Sequence, residues 1–295
     1  MCAINRWFYK DSSLKNSKQH LKDIYYNNLD IIHDGGYETI DGFVEIDDKN
    51  LRENSIYYHN AFEHTVKTVN NYDTKIYVQN IDSFDKAQQF GMKCAVLNMA
   101  SSYRPGGGVR KGSKAQEECL CRKSNLAVSL THFSEDYYNE RGWDDISEQG
   151  QYPMKPFDGI WSPEVTVFRR SNDYKLLSIP FTTNVISVAG VRKPNEFKGT
   201  HLTNTERDLM TKKISSILNI AIINNIEILV LGALSCGAFG CLPTDVAQIF
   251  KNVLDSPMYK HQFKEICFAI IEDKNSPSCG NIKPFADIFG QYEIL

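Results

Sequence analysis

Residues 94–126 constrain the fold more than any other stretch, because three kinds of local structure follow one another there. Residues 94–100 are an apolar run of the length of a buried strand. Residues 101–112 are a turn-rich loop with three consecutive glycines. Ser113 and Gln116 then fit a capping box, in which a hydroxyl and an amide satisfy backbone N–H groups at the start of a helix. We therefore predict a strand, a glycine loop and a helix in immediate succession.

This predicted helix carries two acidic residues just beyond the glycines Gly106, Gly107 and Gly108. Glycine adopts positive φ without strain and keeps no side chain in the way, so the triplet can turn several N–H groups towards an anion. Glu117 and Glu118 fall in the first helical turn and diverge by about 100° around the axis. One carboxylate can therefore aim at a reacting bond while the other holds the substrate.

The helix is expected to run on as one element after the acidic pair. Its apolar face is formed at roughly helical spacing by Ala115, Cys119, Leu126, Leu130 and Phe133. An unbroken helix from Ser113 to Phe133 would present this face to the core.

A second unit of the same kind lies near the carboxyl end of the chain. Residues 228–231 form an apolar run, residues 232–240 contain three glycines, and Pro243 suits the first position of a helix. We predict a second strand, glycine loop and helix, suited to another phosphate.

Alternation of strands and helices, with glycine loops at strand ends, predicts an α/β protein. The expected architecture has three layers, α/β/α. We treat residues 1–70 as an amino-terminal extension that packs on the core without folding independently. Residues 71–295 form the catalytic core, so that the chain is effectively one domain.

Composition narrows the function classes. A formal net charge of −3 gives no support for general nucleic-acid binding, and no apolar window approaches the length of a membrane span. The eight cysteines form no CxxC pair and the seven histidines no HExxH motif, so we predict no metal site. Reduced cysteines and the lack of an amino-terminal apolar segment predict an intracellular, cytoplasmic protein, or a nuclear one in a eukaryote.

The segment VLNMASSYRPGGG, followed after seven residues by Gln116, Glu117 and Glu118, resembles the signature of the poly(ADP-ribose) glycohydrolases (PARGs). The resemblance is to their microbial type, built on a macrodomain with a mixed central sheet. It implies hydrolysis of ribose–ribose O-glycosidic bonds in poly(ADP-ribose), with ADP-ribose as product and no cofactor. Poly(ADP-ribosyl)ated proteins would be the partners.

The same resemblance assigns roles to individual residues. Glu118 would be the general acid and then the base that activates water, Glu117 would hydrogen-bond the ribose hydroxyls, and Gln116 would order the junction of loop and helix. Residues 231–241 resemble the second phosphate loop, with Leu234 in place of a tryptophan and Cys241 in place of an asparagine. The implied substrate-binding residues are Asn98, Gly106, Gly107, Gly108, Gln116, Ser235, Cys236, Gly237, Ala238, Phe239 and Gly240.

Alternatives remain open at this level. A macrodomain hydrolase that releases single ADP-ribose units and an ADP-ribose reader without turnover share most of the pattern. A Rossmann dehydrogenase lacks support, because neither loop reads GxGxxG. Phe239 either stacks on a ligand or fills the core. Asp82 either reads adenine or caps its own helix, and we leave it out of the site.

Overall fold

A computed structural model describes residues 17–67, 70–91, 93–135, 146–272, 276, 280–290 and 292–293. Its helices are α1 (Lys18–His33), α2 (Asp48–Asn54), α3 (Ser83–Ala87), α4 (Gln116–Lys123), α5 (Leu126–Thr131), α6 (Asn204–Ile223), α7 (Pro243–Leu254) and α8 (Ile282–Phe289). Its strands are β1 (Gly36–Thr39), β2 (Gly42–Glu45), β3 (Ile56–Tyr58), β4 (Lys75–Gln79), β5 (Cys94–Ala100), β6 (Gly159–Arg169), β7 (Leu176–Ala189), β8 (Ile228–Leu231), β9 (Glu265–Ala269) and β10 (Tyr292–Glu293). None of these helices combines the length and apolar character needed to cross a membrane.

The central sheet has eight strands in the order β10-β4-β9-β8-β5-β7-β6-β3. The strands from β10 to β7 run parallel to their neighbours, and β6 and β3 add an antiparallel edge. The sheet is therefore mixed, as expected, and β3 of the amino-terminal segment is one of its edge strands.

Helices cover both faces of the sheet, because successive strand residues point to opposite sides. In β5, Cys94 and Val96 join the core cluster that contains Phe84 and Leu120, whereas Ala95 and Leu97 join the cluster on the other face. The second cluster is built on α6, α7 and α8. The predicted three-layer α/β/α architecture is confirmed.

The two strand–loop–helix units are present. β5 and β8 have the predicted bounds, and α7 begins at Pro243 as predicted. The hairpin of β1 and β2 lies in the amino-terminal segment and is separate from the large sheet.

The helix of the first unit differs from the prediction at its start. It begins at Gln116 with Ala115 as its N-cap and no side-chain capping hydrogen bond, so the predicted capping box of Ser113 and Gln116 is wrong. The Gln116 amide instead bonds the backbone of β5, a partner that local sequence cannot reveal.

The same helix also ends early, so the prediction of one element up to Phe133 is wrong. The backbone at Ser124 forms a bridge to Val167 of β6, and the side-chain oxygen of Asn125 accepts from the N–H of Thr166 at 2.8 Å. These contacts with a distant strand replace helical hydrogen bonds and divide the segment into α4 and α5.

Candidate active site

The two glycine loops meet at one edge of the sheet. β5 and β8 are neighbours and run parallel, so the loops that follow their carboxyl ends emerge side by side. This is where open parallel sheets generally bind ligands.

Glu117 and Glu118 are both buried at the amino end of α4, with 4% and 7% of their surface exposed. Oε2 of Glu117 accepts a hydrogen bond from the N–H of Ser101 at 2.8 Å. Oε1 of Glu118 accepts one from the N–H of Gly108 at 2.8 Å. The carboxylates are thus held on different parts of the loop, as their divergence around the helix predicts. The second oxygen of each has no hydrogen-bond partner in the described part of the chain.

Gly107 lies between the two carboxylates. Its φ is +56°, and a β-carbon built on it would lie 2.7 Å from Oε2 of Glu117 and 2.7 Å from Oε1 of Glu118. Real β-carbons do not approach other atoms so closely, and L side chains are strained at this φ. Only glycine allows both acids to pack against the loop here.

The N–H groups of the first glycine loop are used within the protein. That of Gly107 donates to the carbonyl of Arg104 at 3.0 Å, and that of Gly108 donates to Glu118. The prediction that these groups turn towards a ligand anion is therefore wrong for both residues. The N–H of Gly106 also faces an acid. It acts to lower the pKa of the Glu117 carboxyl, against the larger effect of burial.

Burial raises the pKa of Glu117 well above its usual range, and the negative charge of Glu118 adds to the rise. The N–H of Ser101, the Asn98 amide and the N–H of Gly106 oppose it. A nearby negative charge makes loss of the Glu117 proton less favourable. The Glu117 carboxyl therefore keeps its proton to a higher pH than an exposed carboxyl does.

Gln116 and Asn98 fix this acidic pair to the strand behind it. Gln116 accepts from the N–H of Met99 at 2.9 Å and donates to the carbonyl of Leu97 at 2.6 Å, so it joins helix to strand. Asn98 is fully buried and donates to the hydroxyl of Ser187 at 3.0 Å. Its side-chain oxygen has no partner among the described residues.

The other end of α4 is held by the amino-terminal segment. The amide of Asn28 in α1 donates to the carbonyls of Cys121 and Arg122 at 3.3 and 2.8 Å. Arg169 in turn donates to the side-chain oxygen of Asn28 at 2.5 Å. Terminal helix carbonyls that lack intrahelical partners are thereby satisfied, and the direction of α4 is set.

Four N–H groups of the second glycine loop have no acceptor among the described residues. Hydrogen bonds from Cys236 to Ala233 and from Gly240 to Gly237 fold the loop. Backbone N–H groups that have no acceptor among the described residues belong to Ser235, Gly237, Ala238 and Phe239. Successive unpaired N–H groups form an anion-binding concavity.

A cavity of about 310 Å³ lies between the second loop and the amino end of α4. Predicted site residues that line it are Gln116, Ser235, Gly237, Ala238 and Phe239. Other lining residues include Asp82, Met99, Lys114, Cys119 and Asn281. Its volume suits a small-molecule site.

The remaining predicted residues lie outside the cavity wall. The two acids, Asn98 and Gly106 are buried, and Gly107 and Gly108 beside them are partly exposed. This group adjoins the cavity through Gln116. Cys236 is buried and its thiol donates to the carbonyl of Leu234. Gly240 packs against Lys198, and Cys241 is buried with its thiol on the carbonyl of Val191.

Asp82 caps α3 through the N–H of Phe84 and pairs with Lys123 at 2.6 Å. The capping role is confirmed, and Asp82 also lines the cavity.

The sequence reasoning missed three contributors to the site. Ser101 holds Glu117 through its backbone, so its side chain carries no signal. Lys114 and Cys119 line the cavity, and only their positions next to the acidic pair pointed to them. Within the described ranges, no group of three or more His, Cys, Asp or Glu residues is arranged to hold a metal ion.

Comparisons with known proteins agree with this geometry. Residues 26–170 match the family model of the microbial-type PARG catalytic domain. No curated protein sequence matches the chain.

Among solved structures, the PARG of Thermomonospora curvata is similar with a TM-score of 0.75 and 24% identity, over 92% of this chain and 99% of that one. The same protein bound to the inhibitor ADP-HPD matches with a TM-score of 0.72 and 24% identity, over 91% and 99% of the two chains. The PARG of Deinococcus radiodurans in complex with ADP-ribose matches with a TM-score of 0.66 and 25% identity, over 83% and 98%.

Proposed function

We propose that this chain, a member of the microbial-type PARG family over residues 26–170, is a poly(ADP-ribose) glycohydrolase. The observation that carries the proposal is the pair Glu117 and Glu118, held by a glycine loop. Beside it lies a second loop in which several N–H groups have no acceptor among the described residues. One loop positions acids and the other is suited to phosphate. A ligand with a diphosphate beside a ribose fits both.

Glu118 is proposed as the acid that protonates the leaving ribose oxygen and then, as a carboxylate, activates the attacking water. Glycoside cleavage needs proton donation and stabilisation of an oxocarbenium-like state. The Gly108 N–H fixes one oxygen of Glu118, and the other has no partner among the described residues. Two acids on consecutive helical residues do not face each other across a sugar, so one carboxyl acting twice is the simpler mechanism.

Glu117 is proposed to position the ribose, because the N–H of Ser101 fixes one of its oxygens. Burial raises the pKa of the Glu117 carboxyl, and in its neutral form this group hydrogen-bonds the ribose hydroxyls. Asn98 and the three glycines support this pair rather than contact the diphosphate.

The diphosphate is proposed to bind at residues 235–239, with the adenosine in the cavity. Anions bind well where several backbone N–H groups converge. Phe239 lines the same cavity and is half-buried, so its ring is available to stack on the ligand.

We further propose that the fold is of macrodomain type and that residues 17–67 form one domain with the core, since β3 pairs with β6 and Asn28 holds α4. Residues 1–16 lie outside the described part of the chain. The protein would work in the cytoplasm on poly(ADP-ribosyl)ated proteins. The six cysteines in the described part of the chain are free thiols, which suits a reducing compartment.

The test is to incubate the protein with long-chain poly(ADP-ribose) and identify the products by mass. Free ADP-ribose is the expected product. Binding without products would indicate a reader. Activity confined to proteins that carry a single ADP-ribose would indicate the mono-ADP-ribosyl hydrolase instead.

A further inference from the structure

Cys119 differs from the other cysteines that the structure describes. Five of these six thiols are buried, namely Cys94, Cys121, Cys236, Cys241 and Cys267. Cys119 is partly exposed and lines the cavity. Among the described cysteines, Cys119 is therefore the one that a reagent in the cavity meets.

The sulfur of Cys119 accepts hydrogen bonds from two donors. Nη2 of Arg122 donates to it at 3.5 Å, and the hydroxyl of Tyr174 donates at 3.6 Å. The thiol itself donates to the carbonyl of Lys114 at 3.4 Å. An arginine beside a cysteine favours the thiolate, which is the nucleophilic form.

Arg122 has no carboxylate partner among the residues described. Its side chain is fully buried, Nε donates to the Tyr174 hydroxyl at 3.4 Å, and Nη1 has no hydrogen-bond partner there. A guanidinium stays charged in proteins, and a buried charge without a counter-charge is costly. Nη2 of the guanidinium points at the sulfur, and no carboxylate in the described ranges lies within ion-pair distance of it.

Tyr174 is a poor counter-ion for this cation. Burial raises the pKa of its phenol to about 12, and the neighbouring Cys119 adds to the rise. The phenol therefore stays neutral at physiological pH and serves as a hydrogen-bond donor to the sulfur. Besides Tyr174, the sulfur of Cys119 is the described group that accepts a hydrogen bond from Arg122.

We propose that Cys119 is a modification site for small soft electrophiles, activated by Arg122 and Tyr174. In S-alkylation by a haloacetamide, the sulfur attacks the methylene carbon, the S–C bond forms as the C–halogen bond breaks, and halide leaves. The thiol proton passes to solvent. The adduct extends into the cavity and blocks the ligand. This last consequence rests on the proposed function, whereas the alkylation does not.

The experiment uses the full chain with iodoacetamide at pH 7, and peptide mass mapping to assign labelling to each cysteine separately. Cys119 should be labelled at least about tenfold faster than the five buried cysteines, since both its exposure and its cationic partner favour reaction. Labelling of Cys119 no faster than of those five would overturn the proposal.

Variants separate activation from mere exposure. Tyr174→Phe keeps the ring but removes the donor, and Arg122→Gln removes the charge. Both should slow the labelling of Cys119 several-fold, with folding checked by circular dichroism. Arg170→Gln is the matched control, because Arg170 is exposed and pairs with Asp173 in the same turn. Equal labelling in all three variants would show exposure alone and overturn the proposed activation. If Arg122→Gln fails to fold, Tyr174→Phe decides.

A final experiment uses ADP-ribose to test whether Cys119 lies in the ligand cavity. Saturating ADP-ribose should protect Cys119, and in the wild type the loss of ADP-ribose binding should match the fraction of Cys119 that is alkylated. Binding that neither protects Cys119 nor responds to alkylation would overturn its place in the ligand cavity. Absence of ADP-ribose binding by calorimetry would contradict the proposed function. The labelling rates would still test whether Cys119 is an activated modification site.

Discussion

The two glycine loops of the site follow neighbouring parallel strands, yet they use their backbones in opposite ways. In the first loop the N–H of Gly108 binds Glu118 and that of Gly107 binds a loop carbonyl. In the second loop the N–H groups of Gly237 and Ala238 have no acceptor among the described residues. The N–H groups of the first loop donate to acceptors within the protein, and those of the second loop are available to a ligand.

The helices after the loops explain this difference. Glu117 and Glu118 in the first turn of α4 fold back onto the first loop. The acidic residue in the first turn of α7, Asp245, turns away from its loop and binds the N–H of Leu202 at 2.7 Å and Arg207 at 2.8 Å. A glycine loop before a helix can therefore bind an anion. The direction of the neighbouring acidic side chains decides whether that anion is a carboxylate of the protein or a group of the ligand.

The largest effect expected on the first loop comes from Glu118→Gln. Glutamine can still accept from the Gly108 N–H, so the geometry is retained while the proton is lost. Turnover of poly(ADP-ribose) should fall by about 10²–10⁴-fold, as expected for loss of a general acid, while ADP-ribose affinity stays within about tenfold. Rates come from product mass analysis and affinity from calorimetry. A kcat near that of the wild type would remove Glu118 from the proposed role.

Sequence reasoning succeeded where local pattern decides structure. Both decisive strands, the helix start at Pro243 and the three-layer architecture follow from apolar runs and turn residues. It failed where a distant partner decides. The capping role of Ser113 is absent because Gln116 bonds β5, and the helix break at Ser124 depends on β6. Whether the glycine N–H groups bind the protein or a ligand depends on the direction of the acidic side chains that follow. The two glycine patterns are similar and do not reveal that direction.

Phe239→Ala tests the second loop, which we propose binds the ligand. Its expected effect, on ADP-ribose affinity, is smaller than that of Glu118→Gln on turnover. The ring is half-buried and lines the cavity, so its removal should weaken ADP-ribose binding by about 1–3 kcal/mol, as loss of base–aromatic stacking does. The melting temperature without ligand should change little. A ring that filled the core would instead cost about 3–5 kcal/mol of folding stability. A large melting shift with unchanged affinity would place Phe239 in the core.

Glu117→Gln should change the melting temperature by a small amount, and this change should depend on pH. Burial raises the pKa of Glu117, so its contribution to stability is present below the unfolded pKa of about 4.3 and is lost as pH rises through the folded value. Glutamine does not titrate. The melting temperature of the variant relative to the wild type should therefore increase between pH 5 and pH 8.

The control for this measurement is Glu45→Gln, because Glu45 is exposed at the end of β2. Its melting difference from the wild type should not vary with pH in the same way. A difference for Glu117→Gln that stays constant or shrinks as pH rises would show that Glu117 carries no extra proton in the fold.

The most direct test of the division between the loops is a matched pair of alanine substitutions, measured for melting temperature, ADP-ribose affinity and kcat. In Gly107→Ala the added carbon meets both carboxylates at 2.7 Å, so stability should fall and kcat should drop by about 10²-fold, as a misplacement of about 1 Å in an active site does. In Gly237→Ala the added carbon meets no atom within 4 Å. Stability should then be unchanged. ADP-ribose binding should weaken by about tenfold or more, because the added methyl group keeps the phosphate from approaching the N–H groups closely and a charge-assisted hydrogen bond is worth about 1.5–3 kcal/mol. Two variants with the same profile, or Gly237→Ala with wild-type affinity, would contradict the assignment of acids to one loop and phosphate to the other.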